Sequence, residues 1–136
     1  MSINIERLRA EIQFCSDNPD LYEPGVYAAK TGDHVIADLS GWTCIHAGLV
    51  PIYKPRLATH VTTQVEGVVW IWVAALELLG LPMPEGGRLL AAGMTVPDLW
   101  RVASELTAGA IEVPADMAAP PAATPKVARK VKVTLQ

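Results

Sequence analysis

Asp33-His34-Val35-Ile36-Ala37-Asp38-Leu39-Ser40-Gly41-Trp42-Thr43-Cys44-Ile45-His46-Ala47-Gly48 is the stretch on which the fold assignment turns. Its spacing predicts a helix over about 34–47. Asp33 stands where a cap is wanted, and Val35, Leu39, Trp42 and Ile45 (or His46) recur at helical intervals. Gly41 inside that helix costs about 1 kcal/mol relative to Ala. Such a residue is best explained by the close approach of another backbone. Gly48 suits the left-handed residue that follows a helix.

Working outward, the N-terminal side gives a first helix. Ser2 is placed to cap it, Glu6 lies in its first turn, and Ile5, Leu8, Ile12 and Cys15 form one face. Asn18-Pro19 stops it. Residues 19–33 hold Pro19, Asp20, Pro24, Gly25, Gly32 and Asp33, and read as a loop.

On the C-terminal side, Pro51 and Pro55 forbid a regular helix over 49–64. Thr59-His60-Val61-Thr62-Thr63 has β-favouring composition but no evident partner, so the segment reads as irregular. A third helix is expected over about 65–80. It is apolar nearly all round, which places it at the centre of the domain. A short fourth helix is expected over about 84–92. A fifth starts at Thr95-Val96-Pro97-Asp98, a capping-box pattern, and runs to Thr107 with Leu99, Val102 (or Ala103) and Leu106 inward. The expectation is a compact all-α domain of about five short helices over residues 1–113.

Composition changes after Pro114. Residues 114–125 are rich in Ala and Pro and read as an extended linker. Residues 126–136 alternate: Val131, Val133 and Leu135 face one way, and Lys130, Lys132 and Thr134 the other. This is a basic, amphipathic, strand-like tail. The net charge of −3 conceals an asymmetry. Residues 1–116 carry 7 Lys and Arg against 14 Asp and Glu, a balance of −7, while the tail carries four cations and no acid. The tail can therefore pair with a protein partner, with a sister subunit, or weakly with nucleic acid. It has no aromatic residue for base stacking.

The longest apolar run, Val68 to Leu76, is half a membrane span, and Glu77 ends it. No membrane segment is expected, nor a secretory leader in the first residues. Cys15 and Cys44 each lie among apolar neighbours and read as buried thiols of a reducing, cytoplasmic compartment.

Residues 33–48, 75–81 and 88–106 together resemble a family of small uncharacterised proteins of actinobacteria and their bacteriophages. The family pattern is a Cys-Gly-Thr-x-x-Cys-x-Ala-Gly-Trp/His helix followed by Ala-x-x-Leu-Leu-Gly-Leu. Leu39-Ser40-Gly41-Trp42 with Ala47-Gly48 matches the first piece. Ala75 with Leu78-Leu79-Gly80-Leu81 matches the second, and Thr95 with Leu99 a later capped helix. Asp33 and Asp38 replace the two family cysteines, and His34-Val35 replaces Gly-Thr, so no thiol role carries over. The resemblance implies a small helical domain of phage or actinobacterial source and no particular activity.

Candidate sites are few. On the predicted helix, His34 and Asp38 lie one turn apart, and with Asp33 they form the one set with metal-ligand chemistry, His60 being a distant fourth. The competing reading makes Asp33 a cap and His34–Asp38 a surface pair. Cys44 and His46 point apart on a helix, and Ser40 lies in no nucleophile elbow. Glu85-Gly86-Gly87-Arg88 has no preceding strand to make a phosphate loop. No cofactor is implied. Trp70 and Trp72 cannot face the same way; one is expected in the core and the other over a second helix or an interface. Trp100 is a candidate exposed anchor. The expected function is a non-enzymatic interaction or assembly module whose tail (Lys130, Val131, Lys132, Val133, Leu135) docks on a partner or a sister subunit. The alternatives are weak nucleic-acid association through the tail, or a small metal protein or enzyme.

Overall fold

The computed structural model describes residues 2–63 and 67–118. The all-α, helical expectation is wrong. The chain is mixed α/β, with a curled five-stranded antiparallel sheet, a half-barrel, packed on helices.

Helix α1 (Ile5–Asp17) is capped by Asn4, not Ser2: the Asn4 side chain accepts from the Arg7 N–H at 3.1 Å. Leu8, Ile12 and Cys15 are buried, as their spacing predicts. A 3-10 turn at Pro19–Leu21 follows.

The 19–33 loop and the front of the expected 34–47 helix are instead a hairpin. Strands β1 (Ala28–Thr31) and β2 (His34–Ile36) pair antiparallel, with Thr31 opposite His34. The two residues between them are Gly32-Asp33. Gly32 takes φ +65°, the conformation that a tight hairpin turn needs and that Gly supplies without strain. Asp33 is thus a turn residue and not a cap.

Helix α2 (Leu39–His46) starts later than predicted, and Asp38 is its cap. Asp38 Oδ1 accepts from the Gly41 N–H at 3.0 Å and from the Ser40 hydroxyl at 2.6 Å. The reading of Gly41 holds: a Cβ there would overlap the Tyr27 carbonyl oxygen and press on the Ala37 methyl. The helix therefore lies directly against the backbone that leads into β1.

Residues 49–64, expected to be irregular, supply two strands, β3 (Val50–Tyr53) and β4 (Leu57–Thr62). Pro51 is accommodated because β3 is an edge strand that pairs only with β4. The partners that Thr59–Thr63 lacked on paper are β3 along one side and β5 along the other, while β1 pairs with the preceding Leu57 and Ala58.

Strand β5 (Val68–Trp70) takes the front of the expected third helix, setting Val68, Val69 and Trp70 opposite Thr62, Val61 and His60. Cross-strand pairing of β-branched and aromatic residues wins here over a helical reading of the same letters. Helix α3 (Ile71–Leu79) follows without a loop, buries Ile71, Ala74, Ala75, Leu76 and Leu79, and packs on α2. Gly80 closes it at φ +68°.

A 3-10 segment, Glu85–Leu90, stands where a fourth helix was expected. Helix α4 (Val96–Leu106) carries the predicted capping box: the Asp98 N–H donates to Thr95 Oγ1, and the Thr95 N–H to Asp98 Oδ2. Inside the expected linker, Ala115–Ala118 forms one further helical turn, α5, beside α4, and Met117 packs on the core. The rest of the linker and the 126–136 tail lie outside the described residues. The core sits between α1, α2, α3 and α4 and the inner face of the sheet, from which Ala28, Ala58 and Val61 point inward.

Candidate functional site

The outer face of the sheet departs from what folding alone requires. Tyr53 is opposite Ala58, but Pro51 is opposite Val61. Two steps along β3 therefore match three along β4, a β-bulge across Thr59-His60. Ala58 and Val61 are both buried, three residues apart, and Thr59 and His60 are left adjacent on the outer side. A bulge of this kind re-aims a side chain out of the regular alternation.

His60 is turned onto Trp70 of β5, with ring centroids 4.2 Å apart and planes 36° apart. Thr59 Oγ1 lies 2.8 Å from His60 Nδ1. Around this pair runs a groove of about 520 Å³ lined by Ile52, Lys54, Leu57, Thr59, His60 and Val68. Leu57 and Val68 are each more than half exposed, and Trp70 is 48% exposed. Val50, at the other end of β3, is exposed as well. Scattered single apolar residues on a surface are ordinary; a contiguous set on one sheet face marks a place for a partner. Fully covering a Val or Leu side chain is worth about 1.5–3 kcal/mol.

A second histidine sits in a contrasting place. His46 ends α2, and its Nδ1 lies 2.7 Å from Oε1 of Glu11, whose side chain is buried on α1. The imidazole is boxed by Phe14 (centroids 4.5 Å, edge-on) and Trp42 (5.5 Å, stacked). The Trp42 indole N–H in turn donates to the Leu21 carbonyl at 2.8 Å. Burial raises the Glu11 carboxyl above its usual range, against the opposing pull of His46. Nearby, burial pushes Asp38 up to about 6, although the Ser40 hydroxyl and three backbone N–H groups favour its charge. Asp38 Oδ2 has no hydrogen-bond partner among the described residues. Cys15 and Cys44 are free, fully buried, and pushed up to about 12 by burial and the carboxylates of Glu11 and Asp38. Thiols in this state are poor nucleophiles.

The sequence-predicted site residues are dispersed. Asp33 is fully exposed in the β1–β2 turn, 3.4 Å from His34 Nδ1. His34 lies on β2, with Nε2 3.0 Å from Thr31 Oγ1. Asp38 is buried at the head of α2, so the helical turn that was to join it to His34 does not exist. Among the described residues no three His, Cys, Asp or Glu side chains converge on a metal position. Trp100 is 2% exposed, and its indole N–H points at Ser16 Oγ; it is a core residue and not a surface anchor. Trp70 and Trp72 do diverge, with Trp72 packed on the core and Trp70 outside. Lys130, Val131, Lys132, Val133 and Leu135 lie outside the described residues.

Sequence reasoning missed the groove because it is assembled from three strands, of which only the β-favouring run at 59–63 left a trace. The Val68-Val69-Trp70 triplet was the second signal, hidden inside a longer apolar run. Comparison with protein-family models, with curated proteins and with solved structures finds no match. No helix among the described residues is long and apolar enough to cross a membrane.

Proposed function

We propose that this chain is a non-enzymatic protein-interaction module that receives an extended partner segment in the groove between β3, β4 and β5. The observation that carries this reading is the bulged outer face, where Leu57, Val68 and Trp70 stay exposed around His60 although the same sheet buries Ala58 and Val61. The folded body has a well-packed core elsewhere, so leaving these side chains in water serves no folding purpose. The reactive groups support a binding reading over a catalytic one. Cys15 and Cys44 are sealed and protonated, Asp38 serves as a helix cap, and His46 is held by Glu11 and two rings. Two free buried thiols also support a reducing, cytoplasmic setting. The phage or actinobacterial source is the part of the proposal that rests on the resemblance of residues 33–48, 75–81 and 88–106.

The test is selection from a displayed library of random dodecapeptides by the full chain, repeated with Leu57→Asp and Trp70→Ala. Peptides enriched by the native chain and lost with both variants are the expected result. Enrichment that both variants leave intact, or no enrichment at all, would overturn the groove as the binding face.

A further inference from the structure

The charged residues beside the groove say what the partner carries. Three cations of the folded body are committed. Arg88 pairs with Glu105 at 2.7 Å, Arg101 with Asp98 at 2.6 Å, and Arg9 donates to the Ala110 carbonyl. Lys30, Lys54 and Arg56 differ: none has a carboxylate partner among the described residues, and all three lie at one end of the sheet. Lys54 and Arg56 flank the β3–β4 turn, and Lys54 lines the groove itself. The Lys30 N–H donates to the Arg56 carbonyl at 2.8 Å, which brings β1 to the same corner. The Lys30 ammonium stands 4.6 Å from the centre of the Tyr53 ring, held in place over β3. A body with a balance of −7 over residues 1–116 thus keeps three cations without a carboxylate partner among the described residues together at the mouth of this sheet groove.

Resting on the interaction reading above, we infer that the groove's partner is an acidic peptide segment: carboxylates clustered at one end, to meet Lys30, Lys54 and Arg56, followed by alternating apolar side chains that cover Leu57, Val68 and the His60–Trp70 pair. Charge complementarity and apolar cover are both required, and each lies at its own end of the groove. The arrangement does not fit a nucleic-acid strand, whose phosphates need cations spaced along the whole track and whose bases need several stacking platforms. Here the cations are gathered at one corner, the groove walls set Ile52, Leu57 and Val68 beside Thr59 and His60, and among the described residues Trp70 with His60 is the single exposed ring pair. Nor does it fit the chain's own 126–136 segment. That segment has the right alternation, but its four cations would meet three more.

The experiment extends the dodecapeptide selection. The full chain and a Lys54→Glu/Arg56→Glu double variant are each panned, and the best native-selected peptide is then titrated as a fluorescein conjugate against both. Beside it run a copy with Asp and Glu changed to Asn and Gln, a peptide of the 126–136 sequence, and an oligo-dT. The inference expects Asp and Glu to concentrate at one end of the selected peptides. It also expects binding to weaken about tenfold in the double variant and in the neutralised peptide, with a smaller loss at high salt. Selected peptides that depend on Leu57 and Trp70 but show no acidic bias would overturn the charge assignment and leave the groove standing. Peptides that depend on neither would overturn both. Tighter binding of the 126–136 peptide or of oligo-dT than of the acidic peptide would also sink the inference and put self-association or nucleic acid in its place.

Discussion

His46 and His60 each lie against a tryptophan, and they do opposite things. His46 is enclosed: Glu11 holds its Nδ1, Phe14 and Trp42 box the ring, and the assembly ties α1 to α2. His60 is displayed: a bulge turns it outward, Trp70 backs it, and its polar neighbour is the Thr59 hydroxyl. In the first region polar groups are drawn into the interior, and His46 and Glu11 satisfy each other there. In the second, apolar groups are held in water. The cost of burying charge is accepted where it joins two helices, and the cost of exposing apolar area is accepted where a partner can recover it.

The contrast is broken most severely at the enclosed side. Gly41→Ala drives a methyl into the Tyr27 carbonyl, separates α2 from the β1 approach, and is expected to cost more than about 4 kcal/mol. Loss of a cooperative urea transition is the outcome to look for; a native-like midpoint would show that α2 can shift freely. Next, Glu11→Ala removes a buried side chain and strips His46 of its partner. It should cost about 1–3 kcal/mol, read as a lowered urea midpoint. By comparison, Leu57→Ala on the displayed side should change stability by less than about 0.5 kcal/mol, because more than half of that residue already lies in water. A large loss there would mean that the outer face serves folding after all.

The enclosed region also has a pH signature. Asp38 is raised from 3.8 to about 6 by burial, and Glu11 is raised too. A raised acid binds its proton more tightly in the folded state. Its favourable contribution is full below about pH 4 and is lost as pH climbs through 6, an effect of about 3 kcal/mol for Asp38. Asp38→Asn keeps an Oδ1 to accept from Gly41 and Ser40, so the cap survives while the charge does not. Urea midpoints between pH 4 and 7 should fall with rising pH in the native chain and fall much less in the variant. Parallel slopes would show that Asp38 stays ionised throughout. His60→Ala is the smallest expected effect, near zero on stability, with its consequence confined to peptide binding.

What was legible in the sequence was local. The capping box at Thr95 and Asp98, the buried face of α1, the close approach at Gly41 and the closure of α3 at Gly80 each depend on a few neighbouring residues whose own geometry dictates the outcome. The sheet was not legible, because a strand's stability lies in its partners. His34–Ile36 and Val68–Trp70 each abut a true helix and share its apolar spacing, so periodicity alone extended both helices through them. Gly32-Asp33 was the one local warning of a hairpin. The candidate site was hidden for the same reason. Lys30, Lys54, Arg56, His60 and Trp70 are up to forty residues apart along the chain, and only the pairing of β4 with three other strands brings them to one face. Capping chemistry decided where α4 begins, and a left-handed glycine where α3 ends. Long-range hydrogen bonding decided that His34–Ile36 and Val68–Trp70 became strands, and with them which side chains were turned to water.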